Sequence, residues 1–194
     1  VEMIHYDPSP GSATLALAQR GWFDDGEVFV DLGSGIGRVT LLATLLGRAR
    51  CVGVEIDSAL VDVASRAARS LGASRAEFRV GDARSVSLED GTCFFFFAPF
   101  VGSVLDEVLG RLEDLAARRP IRVGSWGPTT ERVAANTPAT AATPAIKGRL
   151  GPPASIGRTE ATNSVAIAAG PVAARNRAST PSGLIADRSA RVGK

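Results

Sequence analysis

The first half of the chain alternates between two hydrophobic patterns. Short continuous apolar runs, closed by Gly or Asp, predict strands buried on both faces. They are Val28–Gly33 (VFVDLG), Cys51–Ile56 (CVGVEI), Glu77–Val80 (EFRV), Thr92–Phe100 (TCFFFFAPF) and Ile121–Trp126 (IRVGSW). Between them lie stretches with apolar residues at helical spacing: Ser9–Arg20, Arg38–Gly47, Ser58–Gly72 and Ser103–Arg119. Ser58 is a candidate N-cap and Gly72 a candidate C-cap. Ser103 with Asp106 has the spacing of a capping box, and Pro120 stops the last helix. Strands alternating with helices predict right-handed βαβ units: an α/β, doubly wound, mainly parallel sheet with helices on both faces. Ligands of such sheets lie at the carboxyl ends of the strands, here after Val30, Val54, Val80 and Phe97.

After about Ala135 the periodicity stops. Residues 136–194 hold no aromatic residue, six of the eleven Pro, fourteen Ala and nine Val, Ile or Leu. Only Ser164–Ala169 and Gly183–Ala186 read as possible ordered pieces. So few large apolar groups offset little of the entropy of ordering. The expected organisation is a folded core over 1–135 and a low-complexity Ala/Pro/Thr/Arg-rich, disordered tail over 136–194. So little apolar content leaves nothing to build further strands from, and a fold without complete C-terminal strands is expected.

Charge follows the same division. The tail carries eight basic and two acidic residues, a net +6. Residues 1–135 carry 14 basic and 18 acidic ones, a net −4. The overall +2 is the sum of unlike parts and selects no partner. The sparse basic residues of the tail lack interleaved aromatics, so nucleic-acid binding is not supported. No run approaches 18 apolar residues, and the opening residues lack a signal-peptide pattern. Two Cys, without a CxxC or Cys/His cluster, suggest neither a disulfide scaffold nor a metal. A reducing, cytoplasmic setting is the expectation. Cys51 and Cys93 lie on strands two steps apart, roughly 10 Å, too far for a disulfide.

The chemistry concentrates at Val28–Leu41. A strand brings the chain to Asp31, and Gly33, Gly35 and Gly37 form the turn into a helix. Gly permits positive φ and close approach of a ligand to the backbone. The helix start offers unpaired N–H groups. The spacing is GxGxG. A dinucleotide fingerprint needs Gly where Arg38 stands, and no GK[ST] follows, so nicotinamide and P-loop readings fit poorly. Asp31 would repel a pyrophosphate and suits an ammonium.

The run DLGSGIG resembles the glycine-rich motif of class I S-adenosylmethionine-dependent methyltransferases, and further motifs follow in order. VGVEID is similar to the second motif, which implies that Glu55 binds the ribose hydroxyls; Asp57 reads instead as a helix-start residue. VGDAR is similar to the third, which implies that Asp82 accepts from the adenine amino group and Ala83 offers backbone. FFFFAPF occupies the place of the fourth. Many nucleobase and amide N-methylating members carry Asn or Asp, two Pro and an aromatic there; here the four are Phe97, Ala98, Pro99 and Phe100, without the polar side chain. Phe94–Phe97 reads as core, while Pro99 and Phe100 are candidate substrate contacts.

Tyr6–Pro10 (YDPSP) resembles the N-terminal motif of non-SET histone-lysine and small protein-lysine methyltransferases, which adds Tyr6 as a substrate contact. The resemblance spans about Tyr6 to Trp126. It implies a Rossmann-like fold, S-adenosylmethionine as cofactor, and a protein or small-molecule acceptor, a lysine amine slightly ahead. No residue announces itself as a catalytic base, and His5 reads as a surface residue. The competing expectation is a truncated, non-catalytic cofactor-binding domain.

Overall fold

The computed structural model describes Ser9, residues 11–97 and 100–127, and the backbone of Ala168 and Ala169. Its elements are α1 (Gly11–Ala18), β1 (Val28–Leu32), α2 (Arg38–Leu46), β2 (Arg50–Glu55), α3 (Ser58–Leu71), β3 (Ala76–Val80), β4 (Cys93–Phe96), α4 (Gly102–Arg118), β5 (Arg122–Ser125) and β6 (Ala168–Ala169). The sheet order is β3-β2-β1-β4-β5-β6. The first five strands pair in parallel. The direction of winding changes between β1 and β4, which opens a crevice at their carboxyl ends.

The central strands β1, β2 and β4 are mainly apolar because both faces are buried, while marginal β3 is only partly buried. Val30, Leu32, Phe94, Phe96 and Val123 pack beneath Leu105, Val108, Leu112 and Leu115 of α4. Phe29, Cys51, Cys93 and Phe95 face the other way, against α1, α2, Trp22 and Phe23. Phe29 sits opposite both Cys51 and Cys93 in the sheet register. The intervening strand keeps the two thiols apart, and both cysteines are free and buried.

Local sequence explains most boundaries, with some corrections. The N-cap of α3 is Asp57, whose carboxylate accepts from Ala59 N–H, and not Ser58. Gly72 closes α3 in the left-handed region, as expected. The first helix is shorter than Ser9–Arg20. At α4 the cap position is Val101, without a side-chain cap bond, so the expected Ser103 capping box does not start the helix.

Beyond β5, Ala168 and Ala169 pair antiparallel with Val123 and Arg122. These two residues lie in the segment expected as disordered tail, and β5 is therefore not a bare edge at that point. The remainder of 136–194 lies outside the described residues. No described helix is long and apolar enough to cross a membrane.

Three arginines of α4 and its C-cap fasten the long β3–β4 connection. Arg111 donates to the carbonyls of Ala83 and Val86. Arg118 pairs with Glu89, and Arg119 donates to the carbonyls of Leu88, Glu89 and Gly91. Their reach down to backbone carbonyls is a tertiary effect that periodicity does not carry.

Candidate functional site

The glycine turn is tied to the end of β2. Gly33 and Ser34 N–H both donate to Val54 carbonyl, at 2.8 and 3.0 Å. Gly33, Gly35 and Gly37 have φ of +78°, +54° and +79°, which only Gly adopts without cost. Gly37 has a second duty. A Cβ there would lie 2.5 Å from the Phe78 ring and 2.9 Å from Ala64, and one on Gly53 would lie 2.6 Å from the same ring. Gly37, Gly53 and Ala64 thus form a slot for Phe78, so the third glycine is set by packing as well as by the turn. That slot was not visible in the motif.

Asp31 ends β1 as a buried side chain. Thr40, itself buried in α2, donates its hydroxyl to Asp31 Oδ2 at 2.9 Å. Burial pushes the Asp31 carboxyl up to about 7, the Thr40 bonds oppose the rise, and the nearby Glu55 charge adds to it. Thr40 carries no motif signal; only its placement one turn into α2 could have suggested it. Ser34 Oγ, inside the same turn, is buried without a hydrogen-bond partner.

Glu55 stands at the end of β2 and bridges the crevice edge. Its Oε2 accepts from Gly35 N–H at 2.9 Å. Its Oε1 accepts from Ile56 N–H at 2.8 Å and Asp57 N–H at 3.1 Å. A carboxylate has about four lone-pair directions, so three are used and one on Oε2 is open. Beside it the apolar side chains of Ile56 and Val80 are 45% and 57% exposed. Ile36 in the turn and Val101 after β4 are also exposed apolar groups.

Asp82 follows β3. Its carboxylate is bound by Arg84, with Nη2 to Oδ2 at 2.7 Å and Nε to both oxygens at 3.1 Å. The Arg84 guanidinium beside it holds the Asp82 carboxyl below its usual range. Ala83 is buried in the core, and its carbonyl is taken by Arg111.

The carboxyl ends of β1, β2 and β3 thus carry Asp31, Gly33, Gly35, Glu55 and Asp82 along one edge. Phe100 does not join them. It is 6% exposed and packs on Phe96 with ring centroids 5.7 Å apart, so the expected substrate contact is a core residue. Its spacing after Pro99 hid the fact that the α4 side of the core needs a large ring there. Tyr6, Pro99 and His5 lie outside the described residues. Among the described residues no group of three or more His, Cys, Asp or Glu could hold a metal.

The donor set suits a ligand with an ammonium, a polyhydroxyl centre and a flat apolar face: a buried carboxyl, a carboxylate with an open lone pair, and exposed aliphatic side chains in sequence along the edge.

Comparison with known proteins gives the same direction. Residues 29–113 match the family model described as a methyltransferase domain. An RNA methyltransferase from Salinibacter ruber, solved with S-adenosyl-L-homocysteine, is similar in structure: TM-score 0.62, 23% identity, 85% of this chain and 94% of that one. The YcgJ protein of Bacillus subtilis gives TM-score 0.53 at 16% identity over 65% of this chain and 56% of that one. Geranyl diphosphate C-methyltransferase from Streptomyces coelicolor A3(2), solved with Mg2+, geranyl diphosphate and S-adenosyl-L-homocysteine, gives 0.50 at 20% over 59% and 44%. The chain spans about half the length of these last two. None of the curated proteins matches the sequence. The fold is the Rossmann-like fold of class I methyltransferases, with a methyltransferase-domain match at its centre.

Proposed function

We propose that the chain binds S-adenosylmethionine along this edge and transfers its methyl group to an acceptor, with a protein lysine amine as the first choice. The observation that carries the reading is the placement of Glu55. The carboxylate ends the strand beside the glycine turn, holds Gly35 N–H, and keeps one lone pair open next to exposed Ile56. When bound, the cofactor supplies a methyl group already activated on a sulfonium.

The residues then divide the work of holding and aligning. Asp31 takes the ammonium once its own proton has left, since a carboxyl near 7 is half neutral at neutral pH. Glu55 accepts from the ribose hydroxyls, with Gly35 N–H yielding or sharing its oxygen. Ile56 and Val80 offer apolar surface to the base, and Asp82 an acceptor for its amino group. Alignment of this kind is worth about 7–11 kcal/mol of barrier. The described residues contain neither His nor Lys.

The lysine choice rests on the resemblance at Tyr6–Pro10 and on the missing Asn or Asp at Phe97. RNA is the acceptor named for the Salinibacter ruber enzyme, and it is the comparison to test. Calorimetric titration with S-adenosylhomocysteine should give saturable one-site binding. A labelled-methyl assay should then mark a lysine-bearing protein mixture and not total RNA. No binding by a folded sample would sink the cofactor reading. Label in RNA would replace the lysine choice. Binding with transfer to neither would favour a non-catalytic domain.

A further inference from the structure

The two outer carboxylates of the edge are satisfied in unlike ways. Glu55 is held by three backbone N–H groups and keeps an open lone pair. Asp82 is held by Arg84. Its Oδ1 accepts from Arg84 N–H at 2.8 Å and from Arg84 Nε at 3.1 Å; its Oδ2 accepts from Nε at 3.1 Å and from Nη2 at 2.7 Å. The single Nε–H is shared between the two oxygens, so three N–H groups hold this carboxylate, two of them from one guanidinium that spans both oxygens.

The backbone cannot turn Asp82 away from this partner. Its carbonyl accepts from Ser85 and Val86 N–H, and the next residues are fixed by Arg111 at the carbonyls of Ala83 and Val86. The movable part is the half-exposed guanidinium.

We propose that Arg84 is an internal competitor for the base-binding position: its guanidinium spans both oxygens of the Asp82 carboxylate, and an incoming 6-amino group competes with it for them. The inference rests on the cofactor reading, in which Asp82 meets adenine. It assigns Arg84 a specificity role as well. A base with a 6-oxo group brings an acceptor where adenine brings a donor. Such a base is repelled by Asp82 and can bond Arg84 in place. Arg84 therefore narrows the preference for adenine that Asp82 alone would give.

An exposed ion pair of this kind contributes little, so its removal should tighten binding modestly, about two- to fivefold. Calorimetric titrations of the wild type and Arg84→Ala with S-adenosylhomocysteine and with S-inosylhomocysteine test this. The expected result is two- to fivefold tighter binding of the amino ligand by the variant, and no tightening of the 6-oxo ligand. Raising ionic strength from about 50 mM to about 500 mM should narrow the gap between the variant and the wild type for the amino ligand, because salt weakens the internal pair that only the wild type has.

Equal or weaker binding of S-adenosylhomocysteine by Arg84→Ala would overturn the proposal, and so would equal tightening of both ligands. If the wild type does not bind S-adenosylhomocysteine, the variant decides: binding by Arg84→Ala alone supports the competitor role, and no binding by either overturns it along with the cofactor reading. Arg84→Gln, of similar length and uncharged, repeats the comparison should the alanine variant unfold.

Discussion

The two edges of the sheet use the same side chains for opposite ends. At the amino edge, Glu27 is closed in on itself. Thr92 Oγ1 and Cys93 Sγ donate to its Oε2, and Arg122 pairs with Oε1 at 3.0 Å. Arg122 also donates to the carbonyls of Arg20 and Gly21 and lies 5.5 Å from the centre of the Trp22 ring. The cluster fastens the α1–β1 connection to β4 and β5. At the carboxyl edge, Asp31 is buried with Thr40 as its one side-chain donor among the described residues, and Glu55 is tied to backbone with one lone pair spare. A carboxylate matched by a cation stabilises the fold. A carboxylate left short of partners costs stability and is available to a ligand. The difference makes each edge breakable in its own way.

Asp31 should have the largest effect. Its carboxyl moves from 3.8 to about 7 on burial, which at about 1.4 kcal/mol per unit is of order 4 kcal/mol against the folded state. The sign follows from proton binding. The folded state holds this proton more tightly, so stability falls as pH rises from about 4 to about 7 and is flat above. Asp31→Asn keeps an oxygen for Thr40 and removes the charge. The variant should exceed the wild type by about 2–4 kcal/mol in urea melts at pH 8, with the gap closing toward pH 4. Its affinity for S-adenosylmethionine should fall at least about tenfold through loss of the ammonium partner. A gap independent of pH would remove the burial argument.

Gly37 comes next, and it tests how far the glycine turn is scaffold. Ala there meets the Phe78 ring at 2.5 Å with φ at +79°. Overpacking and positive φ together should cost about 2–4 kcal/mol. The double variant Gly37→Ala/Phe78→Ala should cost less than the sum of the single changes, because the clash is gone. Additive losses would mean that the slot is not what Gly37 serves.

That slot marks where sequence reading reaches its limit. The strands were legible because burial on both faces leaves nearly unbroken apolar runs, as at Val28–Val30, Cys51–Val54 and Phe94–Phe96. β3 was legible from its aromatic and β-branched residues although it is only half-buried at the sheet margin. The line of Asp31, Glu55 and Asp82 was legible because strand ends set where chemistry can sit. Partners arriving from distant elements were not. Thr40 under Asp31, Arg111 on Ala83 and Phe78 against Gly37 depend on packing between residues 9 to 41 apart, which no local pattern encodes. The pairing of Ala168 and Ala169 with β5 rests on backbone bonds, to which alanines give no side-chain signal.

Arg122 is the amino-edge counterpart. Arg122→Met keeps the aliphatic stem but strips Glu27 and two carbonyls of their cation. Thermal melts should register a loss of about 1–2 kcal/mol with S-adenosylhomocysteine affinity unchanged. Burial raises the Glu27 carboxyl, but Thr92 and Arg122 outweigh it and hold the group below 4.5. Its contribution is therefore present above that value and lost as pH falls through the lowered one. In the variant this acid-side loss should shrink. A fall in ligand affinity equal to that of the Asp31 variant would erase the distinction between the edges.

The smallest stability effect should come from Glu55→Gln. The amide keeps one acceptor oxygen and turns two donors toward backbone N–H groups. It must release either Gly35 N–H or the Ile56 and Asp57 pair. These bonds are part-exposed, and water replaces the lost partner. The cost should be about 0.5–1 kcal/mol, visible chiefly as faster amide exchange at Gly35. The same change removes the charge and the open lone pair that a ribose hydroxyl would use, so ligand affinity should fall about tenfold. Glu27→Gln, with the same chemistry at the other edge, should reverse the proportions, losing more stability and no affinity. The contrast between these two isosteric changes isolates position from residue type. If both lowered stability equally and spared binding, Glu55 would be a strut of the glycine turn like any other, and the carboxyl edge would lose its claim as the site.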